Sequence, residues 1–207
     1  MRGFKSISKK IAIIGYGGFA REIAANLPKN SYDFFINKSH INDNNEKYVN
    51  ELEKLAFSKY EILIAIGEPN IRKDIYNSLP SSGVDFHTYI DKNAVIMDTS
   101  GINIGHGSII TAGSILTTNI NIGICSHINI NSTIGHDCII GEYFTTAPSV
   151  SVSGNCNIGN NVYVGTGCVI REKINICDDV TLGMNCVVTK HISESGIYIG
   201  IPSKKLN

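Results

Sequence analysis

The chain has 207 residues, 43% of them hydrophobic and 17% charged, with eighteen basic side chains balanced by eighteen acidic ones. That balance leaves no overall field to draw the protein onto nucleic acid or an anionic membrane surface, and the apolar content suffices for a packed core. Six cysteines form no C-x-x-C pair, and the apolar stretch behind the basic opening MRGFKSISKK is too short for a signal peptide or a membrane span, so reduced thiols and a cytoplasmic location are expected.

In chain order, Ile11–Ile14 reads as an apolar strand, Gly15-Tyr16-Gly17-Gly18 as a glycine-rich turn, and the next stretch as a helix running to Leu27 and stopped by Pro28. A strand is predicted over Asp33–Ile36, followed by an Asn-rich polar segment, a helix over Glu46–Phe57, a strand over Glu61–Ile66 and a helix over Ile71–Leu79. The order βαβαβα predicts a Rossmann-like α/β domain with a three-stranded parallel sheet over residues 1–84, and a second domain over 85–207.

The second domain is announced by a repeat. From Ile104 to Val188 an inward-type residue returns at every sixth position, fifteen times in register, with Thr146 the one polar member. A six-residue period fits neither a helix nor a hairpin sheet; it marks a parallel β-helix of triangular coils, three hexads to a coil. Fifteen hexads make five coils, a stack of about 24 Å at strand spacing. Ile90, Ile96 and Ile102 keep the period two residues out of frame, which predicts an earlier coil and a small insertion near Ser100–Asn103. Glycine follows the apolar position at seven hexads, among them Gly105, Gly123 and Gly141, as a chain that turns every six residues would need. The fourth residue after the apolar position is small or β-branched almost throughout, and Cys138, Cys156, Cys168 and Cys186 fall in that slot, so these thiols are read as packing residues at inner corners. Gly200-Ile201-Pro202 should terminate the last coil.

Two motifs carry chemistry. Gly15-x-Gly17-x-x-Ala20 meets the loose fingerprint in which glycines admit a ligand phosphate to a helix N-terminus, but Asn37 and Lys38 stand where an NAD site wants an acidic residue, so a nucleotide-sugar suits it better than a redox cofactor. Among six histidines, His136 has an adjacent carboxylate, Asp137, able to hold its imidazole and raise its basicity; His106 occupies the same slot of its own hexad without one.

The segment Asn131-Ser-Thr-Ile-Gly-His136-Asp137-Cys-Ile-Ile-Gly-Glu142, the opening Ile-Ile-Gly-Tyr-Gly-Gly-Phe-Ala-Arg-Glu22, and Ile64-Ala-Ile-Gly67 with Ile71-Arg72 together resemble the sialic acid O-acetyltransferase and sugar-nucleotide N-acetyltransferase family. The resemblance implies a left-handed β-helix in a homotrimer, acetyl-CoA between subunits as co-substrate, no metal, and a nucleotide-linked amino sugar on the N-terminal domain. It implies His136 as general base, Asp137 as its support, and the Gly154 N–H as donor to the thioester oxygen. Substrate contacts would come from Gly15, Gly17, Gly18, Phe19, Asn37, Lys38 and Gly67, and CoA contacts from Thr145, Gly165, Thr166, Gly183 and Met184. The family commonly has His where Phe19 stands, an acidic residue where Asn37 stands, and a further His where Thr145 stands. The implied reaction is acetylation of the 4-amino group of a dTDP- or UDP-linked 4-amino-4,6-dideoxyhexose for surface polysaccharide or glycoprotein synthesis. O-acetylation of sialic acid is the rival within the family. A non-catalytic or metal-binding β-helix is the rival outside it, although the spacing of His106, His127 and His136 puts them on different faces or coils of one chain.

Overall fold

The computed structural model describes residues 9–206; the basic opening stretch 1–8 and the final residue lie outside the described residues. The chain begins with β1 (Lys10–Ile14), α1 (Gly18–Ala25) and β2 (Tyr32–Ile36), continues through β3 (Val49–Glu51), β4 (Tyr60–Ile64) and α2 (Pro69–Ser78), and closes its first sheet with β5 (Asp85–Phe86). The sheet is parallel, in the order β3-β2-β1-β4-β5. β1 lies at its centre with Ala12, Ile13 and Ile14 at most 1% exposed, as a parallel strand covered on both faces must be.

Five strands, not three, make this sheet, and the helix expected over Glu46–Phe57 does not form. Val49, Leu52 and Leu55 recur every third residue, a spacing that a helix would use. The free edge of β2 takes that segment instead: Val49 pairs with Phe34, Asn50 Nδ2 donates to the Phe34 carbonyl at 3.1 Å, and Leu55 is buried beneath the sheet. Unpaired backbone at a sheet edge outweighed a weak helical propensity. The second extra strand, β5, crosses the connection between the two domains and adds to the edge of β4.

After Phe86 the chain enters the coils through β6 (Tyr89–Ile90), β7 (Val95–Ile96) and β8 (Ile102–Ile104). Every later strand stacks in parallel on one of these three, apart from the antiparallel last strand, generating three flat faces and six coils. Ile96 pairs with Leu116, twenty residues on, whereas Ile104 pairs with Ile122, eighteen on, so two extra residues lie between β7 and β8, where the insertion was expected. The inward positions from Ile110 to Val188 are all buried, Thr146 included. The chain reverses at Gly200–Pro202, and Lys204–Lys205 pairs antiparallel with Tyr198–Ile199 at the end of the stack.

The small slot residues have a second reason beyond size. Ser108, Ser114, Ser126 and Ser132 each send a hydroxyl to the carbonyl fifteen residues on, and Cys138, Cys156 and Cys168 send a thiol to the equivalent carbonyl. All six cysteines are free. The glycines after the apolar position do not make the turns. From Gly107 to Asn185 every sixth residue holds φ between 49° and 73°, a left-handed corner filled by Asn, Asp and Gly more than by other types. Gly105, Gly123 and Gly141 are glycine for another reason: a Cβ on each would lie 2.5 Å from backbone of the next coil.

The two domains share their cores. Ile11, Ile13 and Leu63 pack with Tyr89 and Ile109 of the coils, and Ala12, Ile14 and Ile64 with Cys125 and Tyr143, so the sheet rests on the first face of the β-helix. Among the described residues no helix is long and apolar enough to cross a membrane.

Candidate active site

Three groups of predicted residues assemble. The first is a cleft of about 700 Å³ at the carboxyl ends of β1, β2 and β4, lined by Gly15, Gly17, Gly18, Phe19, Asn37 and Gly67, with His40, Asn45 and Asp74 also in its walls. This is the edge where open α/β sheets hold ligands. Gly15 sits at φ +116°, with the Ala65 carbonyl 3.0 Å from where a Cβ would be, so local geometry demands glycine there. Gly17, Gly18 and Gly67 are different: a Cβ on any of them would meet no protein atom within 4 Å. The protein leaves that space free, and the N-terminus of α1 has no side-chain cap, so its N–H groups are available to an anion. Lys38 is not in the wall; its own N–H faces the Glu53 carboxylate at 3.3 Å.

The second group stands at the corner between the second and third faces. His136 Nδ1 lies 2.7 Å from Asp137 Oδ2, and Asn119 Nδ2, one coil away, donates to Asp137 Oδ1 at 2.7 Å. Asp137 holds φ +59° at the left-handed corner, a conformation that Asp and Asn tolerate, and both Asn119 and Asp137 occupy such corners eighteen residues apart. The Asn119 amide, and then His136, hold the Asp137 carboxyl below its usual range. An ionised carboxylate only accepts, so Nδ1 carries the proton and Nε2 offers a lone pair. The imidazole lies against Gly154, where a Cβ would stand 2.6 Å from Nε2. His106, in the same slot, has no such arrangement: its Nε2 is 3.1 Å from the Tyr76 hydroxyl and its ring packs on Phe86.

The predicted CoA residues lie together along the first face and the corner that follows it, where a Cβ on Gly165 would stand 2.8 Å from Gly183 and from Met184 of the next coil. Thr145 and Thr166 share a cavity of about 190 Å³ with Phe19, Gly67 and His127. The Thr145 hydroxyl is already engaged, accepting from Arg72 at 2.7 Å and donating to the Gly67 carbonyl at 3.3 Å. Gly165 and Gly183 are explained by stacking, since a Cβ would lie 2.7 Å from the Leu182 carbonyl and 2.8 Å from Ile199 respectively. Met184 is 77% exposed.

Two residues at the joint escaped sequence reasoning in this role. Arg72 on α2 is fully buried and donates to the carbonyls of Ile66, Gly67, Cys125, Tyr143 and Phe144 as well as to Thr145. Burial lowers its pKa to about 10, so it remains a cation at neutral pH, held by carbonyl dipoles. His127, one strand below Thr145, is 1% exposed, and burial followed by repulsion from Arg72 keeps it well below the ordinary imidazole range. The only signal for Arg72 was its place in the Ile71-Arg72 segment; His127 sits at an outward-facing position and gave none. Among the described residues no group of three or more His, Cys, Asp or Glu side chains is placed to hold a metal ion.

Fold and site together define the class: an α/β module with a glycine-lined cleft, set on a hexapeptide-repeat β-helix with an exposed His-Asp pair. Residues 10–79 match the PglD N-terminal domain, and residues 92–118, 131–166 and 149–190 match the hexapeptide repeat of succinyl-transferase. The chain is 35% identical over 95 residues to GDP-perosamine N-acetyltransferase of Escherichia coli O157:H7, a stretch that spans 46% of this chain and 42% of that protein. WeeI from Acinetobacter baumannii AYE is 29% identical with a TM-score of 0.85, covering 96% of this chain and 100% of its own. The acetyltransferase domain of PglB from Neisseria gonorrhoeae FA1090, in complex with acetyl coenzyme A, is 25% identical with a TM-score of 0.84, covering 96% and 99%. The domain pair and these relatives agree with the family that the sequence resembles.

Proposed function

We propose that the chain transfers an acetyl group from acetyl-CoA to the 4-amino group of a nucleotide-linked 4-amino-4,6-dideoxyhexose, in the cytoplasm. The observation that carries this reading is the His136–Asp137 pair, braced by Asn119 and laid against Gly154, on a chain whose other domain offers a glycine-lined cleft. The cleft would hold the nucleotide, with the diphosphate against the space beside Gly17 and Gly18.

In the reaction the sugar amine attacks the thioester carbonyl carbon while His136 Nε2 takes the proton that the nitrogen sheds. Asp137 stabilises the imidazolium that forms, and the Gly154 N–H faces the charge that develops on the carbonyl oxygen. The C–N bond forms, the C–S bond breaks, and the thiolate takes the proton from His136 to leave as CoA. No acyl-enzyme is needed.

His136 does not line the cleft, which lies over the first face, while His136 stands at the corner between the second and third. One chain therefore keeps base and cleft apart, and a trimer in which each His136 serves a neighbour's cleft would unite them. Exposed Ile139, Val169 and Met184 supply apolar surface for such contacts. The nucleotide base is read as uracil or thymine from the family resemblance, with guanine represented by the Escherichia coli relative.

The test is CoA thiol release from acetyl-CoA with dTDP-, UDP- and GDP-linked 4-amino-4,6-dideoxyhexoses and with sialic acid. Turnover with one amino-sugar nucleotide, lowered at least about a hundredfold by His136→Ala, is expected. Turnover with sialic acid alone would move the chain to O-acetylation, and silence with all acceptors would end the acetyl-transfer reading.

A further inference from the structure

On the first face, the residue before each inward apolar position points out of the β-helix. Ile109, His127 and Thr145 occupy successive outward positions, and all three are buried because the N-terminal domain covers them. Ile109 packs in the shared core and Thr145 is held by Arg72. His127 has no such account: among the described residues neither Nδ1 nor Nε2 has a hydrogen-bond partner, the Ile64 backbone approaching without reaching bonding geometry. A buried polar group without a partner weakens the fold relative to an apolar side chain of the same size, so the partner of His127 is to be sought in the cavity that it lines.

The surroundings say which partner fits. His127 lines the cavity of about 190 Å³, room for about six water molecules. Phe19 and Gly67 form walls of both this cavity and the large cleft, so a molecule seated in the cleft and extending past Gly67 enters it. The Phe19 ring lies 5.1 Å from the imidazole and covers it. Phe19, Ala147 and Pro148 offer flat apolar surface, and Asn129, Tyr163 and Thr166 offer polar groups, a mixture suited to a pyranose with its apolar C–H face and its rim of hydroxyls. A phosphate would want a free cation, and the Arg72 guanidinium is occupied by carbonyls.

We propose that His127 recognises the hexose of the nucleotide-linked amino sugar: the sugar passes Gly67, displaces Phe19 from the imidazole, and bonds a ring hydroxyl to His127. A hydroxyl both donates and accepts, so it satisfies either ring nitrogen in either tautomer. His127 is thus a specificity residue on a different face from the base. The inference rests on reading the cleft as a sugar-nucleotide site and not on acetyl transfer itself.

Titration calorimetry on the full chain would compare wild type, His127→Leu and His127→Gln, using GDP, UDP and dTDP and their 4-amino-4,6-dideoxyhexose conjugates. The Leu variant is expected to bind the preferred conjugate at least tenfold more weakly, to bind the free diphosphate as wild type does, and to melt no lower; Gln should recover part of the loss. Unchanged binding of the conjugate, equal weakening toward conjugate and diphosphate, or a Leu variant that melts far below wild type would each overturn the proposal. So would a wild-type protein that prefers no conjugate over its diphosphate. His127-dependent binding of a conjugate without CoA release would sink acetyl transfer and leave this inference standing.

Discussion

The imidazole of His136 and the Cα of Gly154 are in direct contact across one coil, so closely that a methyl group on Gly154 would lie 2.6 Å from Nε2 and 2.7 Å from Cε1. That contact fixes the face His136 presents, because Asp137 holds the other edge of the ring.

Gly154→Ala should therefore act on catalysis and not on folding. The corner is exposed at His136, so the ring can swing away at small cost to stability, but it then leaves the geometry that Asp137 and Asn119 impose. Acetyl transfer should fall at least tenfold in kcat with the melting temperature within a few degrees of wild type. Full activity in the alanine variant would show that His136 is not held in its working position by this contact.

Arg72 joins the domains by donating to the Cys125, Tyr143 and Phe144 carbonyls and the Thr145 hydroxyl of the β-helix, besides two carbonyls of its own domain. Arg72→Met keeps the length of the side chain and removes every donor, leaving buried acceptors at Cys125 and Tyr143 without partners. A loss on the order of 3 kcal/mol or more is expected, from several bonds to a charged group at roughly 1.5–3 kcal/mol each and imperfect relaxation. The urea midpoint measures it, and a change below about 1 kcal/mol would mean that the carbonyls find other donors.

His127 makes stability depend on pH in a stated direction. Burial, then Arg72, keeps the folded imidazole neutral, while the unfolded one titrates near the ordinary value of about 6.5. Above that value neither state binds the proton. Below it the unfolded chain does, so this residue's contribution is whole at pH 7.5 and declines as the pH drops through 6.5. By pH 5.5 it should account for about 1.4 kcal/mol of lost stability, which His127→Leu should abolish. Parallel acid profiles for the two proteins would refute a neutral buried His127.

The β-helix was legible almost residue by residue, since a coil of eighteen residues repeats its inward positions and a sequence records a repeat directly. Even so, the turning role expected of the glycines belongs to other residues. The corners turn three residues after the apolar position, and Gly105 or Gly123 is small because the next coil lies on it. Distance between coils is not written in a single hexad. In the first domain the βα opening and the strand at β4 were legible from apolar runs between punctuating residues. The segment 46–57 was not, because its apolar spacing suits a helix and only the vacant edge of β2 turned it into a strand.

What the sequence determined by itself is whatever repeats or lies adjacent in the chain: the six-residue period, the slip of two residues before Ile102, the small corner slot, the glycine turn at Gly15–Gly18, and the neighbouring pair His136 and Asp137. What only the tertiary structure decided depends on groups far apart in the chain meeting. Asn119 reaches Asp137 because a coil is eighteen residues long, and Arg72 reaches Tyr143 and His127 loses all solvent because the first sheet settles on the first face. Burial is a property of what covers a residue, and an outward position on a β-helix carries no mark of its cover until the other domain arrives.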